Sequence, residues 1–144
     1  MTASITLGPI TANSPPPEGI AKFTIAPKKY EKKGNNKKAK KSYEKALDLL
    51  VKSNMEKPNS ADTLNYLGFT TRKLGDFSNG EKFYLQGLAI DPKHNGINEY
   101  LGELYVQTNR IDKANERLEV LKSCNCKEYG ELELIIKTRG SKIY

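Results

Sequence analysis

The chain of 144 residues has no tryptophan, a single histidine at position 94 and two cysteines, Cys124 and Cys126. One histidine leaves too few partners for the usual acid–base or zinc sites, and no Ser, Thr or Cys lies in a recognisable catalytic motif. No Gly-rich loop follows a strand, since no segment has the alternating pattern of a convincing strand. We therefore expect no enzymatic activity, no cofactor and no metal.

Long apolar runs are also missing. No segment approaches the roughly 18 consecutive apolar residues of a membrane span, and the first thirty residues lack the apolar stretch of a signal peptide. As the chain is given, we expect a soluble cytoplasmic protein. A periplasmic location is the alternative, in case a signal peptide has been removed.

Positive charge is concentrated in one segment. Residues 28–41 contain eight lysines and one glutamate, which accounts for the whole net charge of +7. Such a segment can attract the phosphates of nucleic acid or an anionic membrane. It contains no arginine, however, and its lysines spread around a predicted helix, so a solvated helix face is the favoured interpretation. The lysines are Lys28, Lys29, Lys32, Lys33, Lys37, Lys38, Lys40 and Lys41.

Proline divides the chain into two regions. Residues 1–27 are rich in Thr, Ser, Ala and Pro, and contain three consecutive prolines at 15–17. This composition cannot build a packed core and predicts an extended, flexible arm. Beyond residue 28 the only prolines are Pro58 and Pro92, and each falls where a helix is predicted to have ended.

From residue 61 onward, apolar residues recur every three or four positions, which is typical of one-sided helices. The breaks at 73–77 and 107–111 contain Gly75 and Asn109, residue types that adopt the left-handed conformation at a helix end. The dipeptide at Leu67 recurs 34 residues later at Leu101. The pattern therefore predicts two helical hairpins related by an internal repeat.

The repeat resembles the tetratricopeptide-repeat (TPR) family over residues 61–94 and 95–128. Asn98 and Cys126 depart from the family pattern. The phrases LNYLGFTTRKLGDF and NEYLGELY are also similar to a group of small bacterial TPR proteins with no assigned biochemical activity. The residues that carry the family resemblance are Leu64, Leu67, Gly68, Gly75, Tyr84 and Pro92 in the first copy, and Leu101, Gly102, Tyr105, Asn109, Ala114 and Leu118 in the second.

The resemblance implies an all-α solenoid in which small residues let the two helices of each hairpin approach closely. Gly68 pairs with Gly80, and Gly102 pairs with Ala114. Larger residues, including Tyr84 and Leu118, are expected to fill the space around these contacts.

Two repeats are too few for a stable stack, which normally needs at least three units. Residues 28–60 are predicted to form a degenerate repeat, with a short helix A at about 27–33, a turn at 34–36, and a helix B carrying Ala39, Tyr43 and Ala46 on one face. Pro58 comes later than in the family, so either helix B is longer or the linker is extended.

Residues 127–138 place Tyr129, Leu132, Ile135 and Ile136 on one face, which predicts a C-terminal cap helix. The predicted domain is thus a TPR-type solenoid of about two and a half repeats over residues 28–144, preceded by the arm at 1–27.

The two cysteines are separated by one residue, which leaves three interpretations. They could pack at the end of the last repeat, form a local disulfide in an oxidising compartment, or contribute to a metal site with His94. Packing is favoured, because this spacing is too short for the usual structural disulfide and two cysteines are an incomplete zinc set.

TPR proteins usually bind ligands in a concave groove lined by their A helices. The resemblance implies a groove of mixed charge, in which Glu99 and Glu103 would repel the acidic C-terminus that one TPR subclass clamps. An extended or helical peptide with its own Lys or Arg fits better, with plain solvated surface as the alternative. The implied partner-binding residues are Asn65, Phe69, Arg72, Lys73, Glu99, Glu103, Val106 and Gln107.

Together these features predict a non-enzymatic module or scaffold that binds a protein or peptide. The alternative from another class is electrostatic binding of nucleic acid or an anionic membrane through residues 28–41. A third hypothesis is self-association through the weakly capped first repeat, which would give a homo-oligomer.

Overall fold

The computed structural model describes residues 36–140. The predicted arm, the short helix A at 27–33 and the first four lysines of the basic segment lie outside these residues. The chain divides into two compact units, one ending at Asp91 and the other beginning at Pro92. The described part of the first unit contains α1 (Asn36–Glu56), α2 (Ala61–Lys73) and α3 (Phe77–Ile90), and that of the second contains α4 (Asn95–Gln107), α5 (Ile111–Leu121) and α6 (Lys127–Lys137). Within residues 36–140 all regular structure is helical.

Helix α1 is long because its apolar positions continue past the expected end of helix B. Ala39, Tyr43, Ala46 and Leu50 follow one another at three- and four-residue spacing, and all four are buried. The helix spans 21 residues and ends shortly before Pro58. Of the two alternatives for the late proline, the longer helix is the one that the structure shows.

Helices α2 and α3 form the predicted hairpin of the first unit. The Ser60 hydroxyl accepts a hydrogen bond from the backbone N–H of Thr63 (3.2 Å), which caps α2. The turn between the helices is made by Gly75, whose φ of 91° is readily adopted only by glycine. Asp76 then caps α3 by accepting from the N–H of Asn79 at 3.1 Å.

The small residues of this hairpin allow the close contact expected from the sequence. A Cβ added to Gly68 would lie 2.5 Å from ring carbons of the fully buried Tyr84, and one added to Gly80 would lie 3.2 Å from the carbonyl oxygen of Gly68. A side chain at either position would therefore require its neighbours to move. The predicted approach of Gly68 and Gly80 is confirmed.

The second unit contains another hairpin, α4 and α5, with Asn109 at a φ of 58° in the turn. Helix α6 packs against both α4 and α5, as expected of a cap helix. The space beside Gly102 is filled differently from the prediction. A Cβ added there would lie 2.6 Å from a methyl group of Leu132 on α6, whereas Leu118, which was expected to contribute, is only partly buried.

Asn98 departs from the apolar residue of the TPR pattern, and a hydrogen-bond network explains how it is tolerated. Its side-chain amide is fully buried and donates to the carbonyl oxygens of Pro92 (3.1 Å) and His94 (2.9 Å). Its Oδ1 accepts from Nη1 of Arg117 at 3.1 Å. Buried polar groups are stable when they are bonded in this way, and here the bonds tie the linker, α4 and α5 together.

The cysteines show that the favoured packing interpretation was wrong. Cys124 and Cys126 form a disulfide with a Cα–Cα distance of 5.2 Å, and neither side chain is fully buried. The chain can bridge so short a spacing because α5 ends at Leu121 and α6 begins at Lys127, which leaves the intervening backbone free to turn. Asn125 makes this turn with a φ of 50°.

Among the helices of residues 36–140, none combines the length and the apolar character that crossing a membrane would require.

Candidate interaction surfaces

The first candidate surface is the face of α2 that carries Asn65, Phe69 and Arg72. Their spacing of four and three residues places them on one side of the helix. The ring of Tyr43 on α1 meets that of Phe69 edge-on, with 6.2 Å between centroids. The guanidinium of Arg72 lies 5.5 Å from the Phe69 centroid, within the range of a cation–π contact. We call Asn65, Phe69 and Arg72 the α2 face.

A buried carbonyl oxygen of the α2 face is left without a hydrogen bond from the described residues. The Oδ1 of Asn65 is buried and accepts no hydrogen bond from residues 36–140. An unsatisfied buried carbonyl costs free energy. Lys73, at the end of the same helix, is partly exposed.

The second candidate surface is the face of α4 that carries Glu99, Glu103, Val106 and Gln107. Both glutamates and Val106 are buried, whereas Gln107 is exposed. Burial above all, together with a hydrogen bond to Glu131 and nearby negative charges, raises the pKa of Glu99 from its ordinary 4.5 to about 9. At neutral pH the protonated Glu99 therefore donates to the Glu131 carboxylate.

The acidic character of this surface comes from two helices. The carboxylates of Glu128 and Glu131 on α6 act on Glu99 together with that of Glu103. The sequence pattern had indicated only the apolar side of α6, so these two residues were not predicted. Their spacing of three was the available signal, since it places both on one side of the cap helix. We call Glu99, Glu103, Glu128 and Glu131 the acidic face.

Comparison with known proteins identifies the fold. Residues 30–49 match the family model described as a tetratricopeptide repeat, which is the segment predicted here as the degenerate first repeat. That match, on a chain whose two units each contain a helical hairpin, decides the architecture. The chain has the tetratricopeptide-repeat fold.

Solved structures of one bacterial chaperone share this TPR fold along most of the chain. The Yersinia enterocolitica type III secretion translocator chaperone SycD, in a form described as an alternative dimer, matches with a TM-score of 0.59 and 16% identity, over 86% of this chain and 90% of SycD. SycD in complex with a peptide of the translocator YopD matches with a TM-score of 0.59 and 15% identity, over 86% and 91%. No curated protein matches the chain. At these identities the likeness concerns the fold, and TPR chaperones are a non-enzymatic kind of protein.

The TPR fold places the predicted groove residues on the A helices, but most of them are not open to solvent. Asn65, Phe69, Arg72, Glu99 and Glu103 are all buried. Lys73 and Gln107 are the more accessible members. The buried residues set the shape and charge of each face, and their contact with a partner stays a prediction.

The part of the basic segment that the structure describes, residues 36–41, is exposed to solvent at its lysines. Lys37, Lys38, Lys40 and Lys41 are exposed on α1. Lys40 lies 4.0 Å from Glu44 one turn later, a surface pair of small energetic weight. The comparisons give no support to nucleic-acid or membrane binding by this segment.

His94 has a structural role in the TPR fold. Its Nδ1 accepts a hydrogen bond from the N–H of Ile97 at 3.1 Å and so caps α4. In the part of the chain that the structure describes, no three His, Cys, Asp or Glu side chains are grouped so that they could bind a metal ion.

Proposed function

We propose that this chain is a non-enzymatic module that binds a peptide or protein through its A helices. The observation that carries the proposal is the TPR fold, shared with a chaperone solved in complex with a peptide of its translocator. Binding would occur by surface complementarity, without chemical turnover.

The α2 face favours an extended or helical peptide with an apolar or aromatic anchor. Phe69 is buried beneath this face in contact with Tyr43 and Arg72, so its ring would meet a peptide anchor only where these side chains shift. The Oδ1 of Asn65 is buried and accepts no hydrogen bond from residues 36–140, so a backbone N–H of the peptide would reach it only after the Asn65 side chain turns outward. Since an unpaired buried acceptor is costly, pairing it with a ligand donor would contribute to affinity.

The acidic face favours a ligand that carries Lys or Arg. Glu99 is protonated at neutral pH, so the negative charge of this face comes from its other three members. Two of these, Glu128 and Glu131, are not fully buried and can pair with a basic side chain. An acidic peptide would be repelled, which argues against the TPR subclass that clamps acidic C-termini.

A peptide-display selection tests this proposal without knowledge of the natural partner. Random peptides are selected for binding to the full chain. The affinity of each selected peptide is then measured by fluorescence anisotropy for the wild type and for two matched variants. Glu131→Gln removes a charge from the acidic face, and Glu116→Gln removes one from an exposed position on α5. We expect selected peptides rich in Lys or Arg, with binding weakened about two- to fivefold by Glu131→Gln and unchanged by Glu116→Gln.

A second pair of variants tests the α2 face. Phe69→Leu should weaken the same peptides, whereas Leu85→Ala, at an exposed residue of α3, should not. Selection of acidic peptides, or equal binding by all four variants, would remove the support for both faces.

A second copy of this chain is the other candidate partner, because one SycD structure is described as a dimer. Light scattering over a range of protein concentrations tests it. A mass that stays at that of one 16.1 kDa chain at all concentrations would argue against a homo-oligomer.

A further inference from the structure

The disulfide between Cys124 and Cys126 lies at the junction of α5 and α6, outside both candidate surfaces. We propose that this pair is a reversible thiol–disulfide exchange site that reacts with an external dithiol. The proposal is independent of peptide binding and rests on the loop that the bond closes, on the accessibility of the two residues and on the helix that follows Cys126.

The bond contributes little as a structural cross-link. Cys124 and Cys126 are two positions apart in the chain, and a disulfide stabilises a fold less when it closes a shorter loop. Helix α6 is already held in the second unit by Leu132 and Ile135, which are both buried. The position of α6 therefore does not depend on the disulfide.

A reactive disulfide must be reached by an attacking thiolate. Cys124 and Cys126 are both partly exposed. Lys122 and Lys127 flank them, and both are exposed. Lys122 lies 3.9 Å from Glu119, which offsets its charge, whereas the positive charge of Lys127 favours the approach of a negatively charged thiolate. The surroundings of the disulfide are therefore those of a labile, accessible bond and not those of an inert, buried bond.

The two sulfur atoms are not equivalent, because Cys126 is the N-cap residue of α6. Its side chain makes no capping hydrogen bond in the disulfide form, so N–H groups of the first turn remain available to a negative charge. A helix N-terminus stabilises a nearby thiolate. Cys126 is therefore the better leaving group.

The exchange follows from this asymmetry. The thiolate of a dithiol attacks Sγ of Cys124, a mixed disulfide forms, and Cys126 leaves as a thiolate that then takes up a proton. The second thiol of the dithiol attacks the mixed disulfide and releases Cys124. The products are two protein thiols and the oxidised dithiol, so two electrons pass from the dithiol to the protein.

The backbone keeps the cysteines close for the reverse reaction. The N–H of Cys124 donates to the carbonyl oxygen of Leu121 at 3.0 Å, which fixes this residue to the end of α5. Cys126 is fixed by the start of α6, and Asn125 supplies the tight turn between them. Since these features do not require the disulfide, we expect the pair to re-form it after reduction.

The first test is a redox titration of the full chain with reduced and oxidised dithiothreitol. Samples are quenched with acid, and their free thiols are tagged with a maleimide. The number of tags is read from the mass of the intact protein by mass spectrometry, while circular dichroism follows helix content. We expect conversion from no tags to two tags, complete reversal when the oxidised form is restored, and unchanged helix content. The proposal is overturned if oxidant forms no bond, if reduction requires urea, or if helices are lost on reduction.

The second test concerns the leaving group. Lys127→Glu replaces a positive charge by a negative one beside Glu128 in the first turn of α6, and Lys57→Glu makes the same charge change at an exposed site in the first unit. We expect reduction to slow about two- to fivefold in Lys127→Glu and to be unchanged in Lys57→Glu. Brief reaction with glutathione followed by alkylation should leave glutathione on Cys124. Equal rates, or glutathione mainly on Cys126, would overturn the assignment.

Discussion

Glu99 should make the stability of the second unit depend on pH. Its pKa in the folded protein is about 9, compared with an ordinary value of 4.5, chiefly because the carboxyl is buried and because it is hydrogen-bonded to Glu131. Between these two pH values the folded chain holds a proton that the unfolded chain has released. The free energy of unfolding therefore falls as pH rises through this window, and the contribution is complete only below about 4.5.

The magnitude follows from proton linkage. A difference of one bound proton changes the free energy of unfolding by about 1.4 kcal/mol per pH unit, which sets a ceiling of about 4 kcal/mol between pH 5 and pH 8. Glu131 is exposed, so solvent screens part of the interaction, and we expect about 1 to 3 kcal/mol. Glu99→Gln should remove this dependence, since the amide cannot ionise and can still donate to Glu131.

Urea unfolding followed by circular dichroism at several pH values measures the effect, as the chain has no tryptophan. The informative quantity is the difference between Glu99→Gln and wild type, because it cancels the titration of all other groups. The variant should gain stability relative to wild type as pH rises from 5 to 8. Glu116→Gln, on the exposed side of α5, is the control for net charge. A constant difference between Glu99→Gln and wild type across the range would refute the reasoning.

Three further predictions concern stability and are checked by urea and thermal unfolding. Gly68→Ala should cost about 1 to 3 kcal/mol, because its Cβ would lie 2.5 Å from the ring of Tyr84. Gly130→Ala, with no atom within 4 Å, should instead gain about 0.5 to 1 kcal/mol, so equal effects of the two would contradict the packing described. Asn98→Ala should cost about 1 to 3 kcal/mol, because it removes the buried hydrogen bonds that the Asn98 side chain makes with Pro92, His94 and Arg117. Ser60→Ala should cost about 1 kcal/mol through loss of the α2 cap.

The helices of residues 36–140 follow from local pattern. Spacing of three and four residues predicted three of the buried positions of α1, namely Ala39, Tyr43 and Ala46, and residue type predicted left-handed turns at Gly75 and Asn109. These features depend on residues close together in the chain, whose periodicity and conformational preferences can be seen directly. The end of α1 was less certain, because two arrangements of the chain before Pro58 satisfied the same pattern.

The candidate surfaces were predicted only in part. The family pattern named the α4 residues Glu99 and Glu103, but it carried no information that α6 would bring Glu128 and Glu131 beside them. Nor did it indicate that Glu99 would be protonated, because a pKa depends on burial and on charges from another helix. The exposure of each groove residue is likewise a property of the folded chain.

The amino-acid sequence by itself determined that the regular structure of residues 36–140 is helical, that most of these helices pair in hairpins, and where most of the hairpin turns lie. Those properties follow from periodicity and from the backbone preferences of single residues. Tertiary structure alone decided that Leu132 fills the space beside Gly102, that Asn98 is satisfied while buried, and that the two cysteines are bonded. Each of these depends on which residues the fold brings together in space, and on how much water remains around them.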